Sequence, residues 1–296
     1  MDEIKPYRAI LIAGPTASGK SALAVRMAQQ HGGIVVNADS MQVYSDLRIL
    51  TARPSETELN TVPHALYGYV SGSEPYSVGH WLEDVAEVLD ECGRSGRVPI
   101  ITGGTGLYFK ALLEGLSPIP RIPSEIREHW RSQAALIGAP RLHEILATRD
   151  PESAARLRPE DTQRLTRALE VLEATGRSLS DWQREPGRPL VAVDDALCLV
   201  ASMDRAELHR RADARLNAMM VAGALIEVEV LARKGYATDL PLMRALGVGP
   251  LIEVLAGNVG LEAAVERTKL DTRQYIKRQE TWLNRNMIAW NKVSTQ

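Results

Sequence analysis

Residues Gly14-Pro15-Thr16-Ala17-Ser18-Gly19-Lys20-Ser21 have the types and spacing of a phosphate-binding loop. Glycines let such a loop curl until several backbone N–H groups converge on a phosphate chain. Lys20 adds a positive charge, and the Ser21 hydroxyl is placed to bind Mg²⁺. An apolar run, Tyr7 to Ala13, precedes the loop and a helical pattern follows it, which is the context that separates the motif from a chance glycine turn. The motif specifies a phosphate but not its owner. ATP and any other diphosphate satisfy it equally.

Two further stretches fall where a second and a third strand should end. In "NADSMQVY", Asp39 sits just past an apolar run, and in an open α/β sheet ligands bind beyond the carboxyl ends of the strands. Asp39 is therefore either a general base beside the loop's ligand or a turn and helix-cap aspartate. In "TGGTGLYFKAL", the glycines from Gly103 to Gly106 permit close backbone approach to a ligand, with the Thr105 hydroxyl as a neutral hydrogen-bond partner. A plain strand-to-helix turn is the alternative. Basic residues cluster later in the chain. Arg127 and Arg131, and Arg164 and Arg167, share helix faces, and Lys269, Arg273 and Lys277 form a stripe beside Arg278 and Trp282. Such stripes are either solvated faces or, interleaved with Trp, Tyr and Gln, a surface for a phosphodiester backbone. The histidines show no metal-ligand spacing.

These candidates require a scaffold of strands alternating with helices. Ser21 to Gln30 reads as a helix stopped by "HGG", Ile34 to Asn37 as a strand, and Val78 to Cys92 as an amphipathic helix ending at Gly93. "VPIITGGTGLYFKALLEG" repeats the strand, glycine turn and helix. This grammar predicts an α/β fold with a doubly wound parallel sheet. The proline-rich "SPIPRIPSE" then opens arginine-rich helical segments that run to about Arg184, and "LVAVDDALCLVASMD" reads as a strand returning to the sheet. Residues 1–117 and 191–296 are thus expected to form the core, and 118–190 a helical insertion. From Arg205 to Trp290 the pattern is mostly helical.

Composition sets the outer bounds. The chain has 296 residues, 24% charged and 45% hydrophobic, with a formal net charge of −2, so any nucleic-acid surface must be local. Cys92 and Cys198 are far apart, which excludes a disulfide framework and fits a reducing compartment. No apolar run reaches the roughly 18 residues of a membrane span, and "MDEIKPYR" resembles no leader. A soluble, cytoplasmic, monomeric protein with no membrane partner is expected.

Taken in order, "GPTASGKS", "NADSMQVY", "GGTGLYFKALLEGL", "DTQRLTRALEVLEATGRSL", "TDLPLMRALGV" and "TRQYIKRQETWL" resemble the tRNA dimethylallyltransferases, or tRNA isopentenyltransferases, in their short bacterial form. The likeness spans residues 14 to 283. It implies a P-loop NTPase-like fold and transfer of a dimethylallyl group from dimethylallyl diphosphate to N6 of the adenosine immediately 3′ of the anticodon. The loop Gly14–Ser21 would then hold the prenyl donor's diphosphate, with Mg²⁺ on Ser21. The resemblance also implies Asp39 as general base, Thr105 near the reacting centre, and Arg211 near the diphosphate. It implies tRNA contacts at Asp39, Ser40, Met41, Gln42, Thr105, Arg127, Gln163, Arg164, Leu165, Thr166, Arg167 and Arg244, with the insertion meeting the anticodon stem-loop. The chain departs from the family pattern at Gly249-Pro250 and at Asn284. A small-molecule or nucleoside kinase using ATP in the same loop is the competing reading; it leaves the basic segments without a role.

Overall fold

Short apolar runs separated by helices assemble into a parallel sheet. In the computed structural model, which describes residues 7–295, the strands are β1 (Ala9–Ala13), β2 (Ile34–Asn37), β3 (His64–Ala65), β4 (Pro99–Gly103), β5 (Ala196–Ser202) and β6 (Asn291–Ser294). They lie in the order β3-β2-β4-β1-β5-β6, and every pairing is parallel. All five residues of β1 are buried, as a central strand covered on both faces must be.

The pleat sends alternate residues to opposite faces. Ile10 and Ile12 pack with Val35, Ile100 and the apolar side of α1 (Lys20–His31). Ala9, Leu11 and Ala13 pack on the other face with Trp81 and Val85 from α3 (Val78–Ser95) and Phe109 and Leu112 from α4 (Gly106–Glu114). Helices on both faces make the sheet doubly wound, as the alternation predicts. A short helix, α2 (Glu56–Thr61), closed by a Ser55/Glu58 capping box, lies between β2 and β3.

The chain clusters into two compact units: residues up to Leu113 together with those from Leu190 onward, and Glu114–Pro189. The second unit contains α5 (Ser124–Arg149), α6 (Pro151–Arg156), α7 (Thr162–Thr175) and α8 (Leu179–Trp182) around Trp130, Leu142, Leu146, Leu165 and Leu169. α5 is kinked at Gly138, whose φ of 75° leaves the helical region two residues before Pro140. The segments that enter and leave this unit touch: a Cβ on Gly115 would lie 2.3 Å from the Arg188 nitrogen, so only glycine fits. After β5 the first unit continues through α9 (Arg205–Val221), α10 (Ala224–Arg233), α11 (Val248–Leu255) and α12 (Leu261–Asn286).

Several boundaries differ from the sequence expectation. α3 runs through Gly93, whose missing side chain faces open space, and stops at Gly96, which takes the left-handed conformation. Residues Leu190–Asp195 are not strand; a 3₁₀ turn at Val193–Asp195 precedes β5. β3 and β6 carry no pattern that predicts them. β6 reads "NKVS", a polar edge strand whose pairing with β5 is set by tertiary contact rather than by alternation.

Candidate functional site

The P-loop leaves β1 at Gly14, where a Cβ would sit 2.7 Å from Ser18 Oγ and 3.0 Å from Ala201 Cβ. Ala17 (φ 66°) and Gly19 (φ 78°) both adopt left-handed backbone, the alternation that turns successive N–H groups inward into an anion nest. For Ala17 this costs about 1 kcal/mol or more. Lys20 is the first residue of α1, and its Nζ lies 3.1 Å from the Pro15 carbonyl. Burial is the main cause that lowers its pKa, to about 8, with Arg215 lowering it further and Asp39 opposing both. Ser21 is exposed at the start of the same helix.

Asp39 is fixed from behind. Asn37 is fully buried; its Oδ1 accepts the Asp39 N–H at 2.9 Å, and its Nδ2 donates to the Asp39 and Leu66 carbonyls. The Trp81 indole N–H donates to the Asn37 carbonyl at 2.8 Å, and that ring stacks on Tyr108 at 4.5 Å. Trp81→Ala would therefore cost about 3–5 kcal/mol and loosen the turn that carries Asp39. The Asp39 carboxylate divides its work. Oδ1 accepts the Met41 N–H at 2.9 Å, while Oδ2 has no hydrogen-bond partner among the described residues. Oδ1 meets the turn-cap alternative, and Oδ2 is left without that duty.

Asp39 lines a cavity of about 320 Å³ with Thr16, Ser40, Met41, Arg215, Arg244, Tyr275 and Arg278, within the usual size of a small-molecule site. Its apolar wall comes from Leu50, Leu216, Met219 and Leu246. Arg215 is part-buried; desolvation lowers its pKa, and Asp39 opposes that shift. Asp39 thus stands near two part-buried cations, Arg215 in the cavity and Lys20 beside it.

The structure redistributes several of the sequence-predicted residues. Arg211 does not line the cavity: its Nε donates to Glu207 at 2.7 Å, whereas Arg215, one turn on, does line it. Helical periodicity was the available signal, because Ala212, Arg215, Leu216 and Met219 form the face of α9 that lines the cavity. Thr105 is not a cavity residue either; its hydroxyl accepts the Ser40 N–H at 3.0 Å and donates to Ser40 Oγ at 3.3 Å. Gln42 spends its amide on the Thr51 and Ala52 carbonyls, at 2.9 and 2.8 Å. Ser40, Met41 and Arg244 do line the cavity.

In the second unit, Leu165 is fully buried and Thr166 nearly so. Neither has surface to offer RNA, which corrects the expectation for those two. Gln163 and Arg164 are exposed and Arg167 is half-exposed. Arg164 pairs with Asp161, the N-cap of α7, and Arg167 with the buried Glu170 one turn on. Arg127 lines a shallow pocket with Arg121 and Ser124 at the start of α5. In the stripe on α12, Arg273 is paired with Asp213 and Lys269 with Glu266, while Arg278 reaches the cavity.

The glycine turn after β4 also has a different reason from the one its sequence suggests. A Cβ on Gly103 would lie 2.0 Å from the Ala38 carbonyl oxygen, on Gly104 2.3 Å from Gln279 Nε2, and on Gly106 2.2 Å from the Trp282 ring. These glycines admit protein rather than ligand. The departures at Gly249-Pro250 fall in the first turn of α11, where N–H groups have no intrahelical acceptor and proline is tolerated. Asn284 is on the exposed face of α12.

The fold is a P-loop α/β fold in which Thr16 of the loop, Asp39 and Arg215 line one cavity, the arrangement of an enzyme site that handles a phosphorylated ligand. The IPP transferase family model matches residues 42–286, and an isopentenyl transferase model matches 7–67. The chain belongs to the IPP transferase family. It is 51% identical over 284 residues to the tRNA dimethylallyltransferase of Beijerinckia indica subsp. indica, covering 95% of this chain and 94% of that one. It is also 51% identical to the same-named protein of Bradyrhizobium sp. over 296 residues, covering 100% and 96%. Among solved structures it is similar to the full-length tRNA isopentenylpyrophosphate transferase of Bacillus halodurans, with a TM-score of 0.68, 32% identity and coverage of 97% and 89%. A eukaryotic dimethylallyltransferase solved acting on tRNA gives a TM-score of 0.83 at 28% identity, covering 97% of this chain and 73% of the other.

Proposed function

We propose that this protein transfers the dimethylallyl group of dimethylallyl diphosphate to the N6 amine of the adenosine immediately 3′ of the anticodon in tRNA, giving N6-(dimethylallyl)adenosine. One observation carries the reading: Asp39, whose Oδ2 accepts no hydrogen bond among the described residues, lines a cavity with Arg215 and lies close to Lys20 of the P-loop. The family's membership and the relatives named for this reaction support it.

The geometry accounts for each change in bonding. The N6 lone pair forms a bond to C1 of the donor as the C1–O bond breaks, and that electron pair leaves on the diphosphate. Lys20, Arg215 and the loop N–H groups are the donors proposed to meet this negative charge as it grows; one such donor is worth roughly 10²–10³ in rate. The proton on N6 passes to Asp39 Oδ2, a positioned carboxylate worth about 10²–10⁴. The apolar wall of Leu50, Leu216 and Met219 keeps water from the allylic cation-like carbon.

Among the described residues no group of three His, Cys, Asp or Glu side chains forms a metal cage. The exposed Ser21 hydroxyl in the first turn of α1, next to Lys20, is the residue that would hold Mg²⁺. When bound it would neutralise charge on the leaving group. The tRNA contacts follow as proposals: Ser40, Met41 and Arg244 at the extruded base, and Arg127, Gln163, Arg164 and Arg167 along the stem-loop backbone. A stacked base must leave its loop to reach an enclosed carboxylate.

An anticodon stem-loop with adenosine just 3′ of the anticodon, preceded by another adenosine, tests the reading. With Mg²⁺ and dimethylallyl diphosphate and no ATP, it should gain one dimethylallyl group by mass. Guanosine at the target position lacks the N6 amine and should abolish transfer. An unmodified stem-loop, with ATP hydrolysed or its γ-phosphate transferred instead, would hand the site to the kinase reading.

A further inference from the structure

The motif "TRQYIKRQETWL" belongs to a helix at the far end of the chain, and the reaction proposed above assigns most of it no task. On α12, Thr268, Thr272, Tyr275, Gln279 and Trp282 recur at alternating spacings of four and three, which places them on one face. Thr268, Thr272 and Tyr275 line the cavity, and Trp282 packs on Gly106. Gln279 lies between them, 6% exposed. Its Oε1 accepts the Thr16 N–H at 2.8 Å, and its Nε2 donates to the Gly104 carbonyl at 2.9 Å.

Those two bonds join separate parts of the site. Thr16 belongs to the loop proposed to hold the diphosphate. Gly104 precedes Thr105, whose hydroxyl accepts the Ser40 N–H next to Asp39. We infer that Gln279 is a positioning residue that sets the distance between the donor cradle and the Asp39 turn, acting through Thr16 on one side and through Gly104 and Thr105 on the other. The amide suits this task in a way no other side chain of its size does, because it presents one acceptor and one donor group in a plane. Glutamate would offer the Gly104 carbonyl a second acceptor, and methionine would offer neither partner a strong bond. The absent side chain of Gly104 leaves the room that Gln279 Nε2 occupies. Rate in such a site depends on sub-ångström placement, whereas binding of each substrate does not. The joint should therefore act on the transfer step.

The inference rests on the proposed prenyl transfer, and the test separates the two. Single-turnover transfer to the stem-loop is measured at saturating donor and RNA for wild type, Gln279→Met and Gln279→Glu, with dissociation constants for both substrates and a melting temperature for each protein. Both variants should lose roughly tenfold or more in the saturated rate, with both dissociation constants within about threefold of wild type. Gly104→Ala should lower the rate comparably in wild type but add little in a Gln279→Ala background, where the atom it meets is gone. A saturated rate within about twofold of wild type in a folded Gln279→Met or Gln279→Glu protein would overturn the joint. So would a loss that appears wholly in the dissociation constants, or full additivity of Gly104→Ala and Gln279→Ala. Wild-type protein that transfers nothing would overturn the reaction and, with it, the positioning role.

Discussion

Arg215 and Arg211 stand one turn apart on α9 and face different worlds. Arg215 lines the cavity, where desolvation lowers its pKa and Asp39 opposes the shift. Arg211 is half-exposed and shares Glu207 with Arg210. Only the first can meet an anion in the cavity. Arg215→Ala should therefore lower kcat/KM for the prenyl donor by roughly 10²-fold or more, since it removes a charge-assisted interaction from a desolvated site. Arg211→Ala removes an exposed i, i+4 pair worth about 0.3–0.5 kcal/mol and should leave donor kinetics within about twofold. Steady-state assays of both variants check the order, and equal effects would return Arg211 to the site.

Lys20 gives the free protein a pH dependence. Its pKa is lowered to about 8, chiefly by burial, so the ammonium is present below that pH and disappears above it. Donor capture needs the charge, so kcat/KM for dimethylallyl diphosphate should fall as pH rises through about 8. Lys20→Arg keeps its charge across this range, and its profile should lack that limb even if its rate is lower. A wild-type profile flat well above that pH would show that the loop holds the diphosphate without the lysine charge.

Asp39→Asn preserves the side chain's size and an acceptor for the Met41 N–H, and removes the base. Transfer in a single turnover should drop by roughly 10²-fold or more, with tRNA and donor binding little changed. A rate within a few-fold of wild type would leave Asp39 with its cap to Met41 alone.

Arg127 and Arg164 offer the cleanest test of the RNA surface, because Arg167 is paired with Glu170 and its removal would strand a buried carboxylate. Arg127→Gln with Arg164→Gln should weaken tRNA binding and lower the salt slope by about 0.7 for each phosphate that is no longer neutralised. The KM for the prenyl donor should stay where it was. Salt titrations with an unchanged slope would mark both arginines as solvated helix faces.

The strand-loop-helix grammar, the phosphate loop and the family are all legible along the chain. Those features are local: an apolar run, a glycine-bearing turn and a periodic helix state themselves within a dozen residues, because hydrogen bonding and side-chain alternation act over that range. Asp39 is legible as a residue beyond a strand end, and α1 is legible down to its left-handed glycine stop at Gly32. The remainder follows from packing. β6 has no apolar alternation and exists because β5 offers it a partner. Arg215 rather than Arg211 enters the cavity because the rotation of α9 against the sheet turns that side inward. Gln279 meets Thr16 across 263 positions of chain, and no local rule couples residues so far apart. Gly104 and Gly106 look like a ligand's approach when read along the chain, and are room for Gln279 and Trp282 once α12 has packed. Local patterns state which elements form; which side chains share a cavity depends on how those elements pack, and packing is a property of the whole fold.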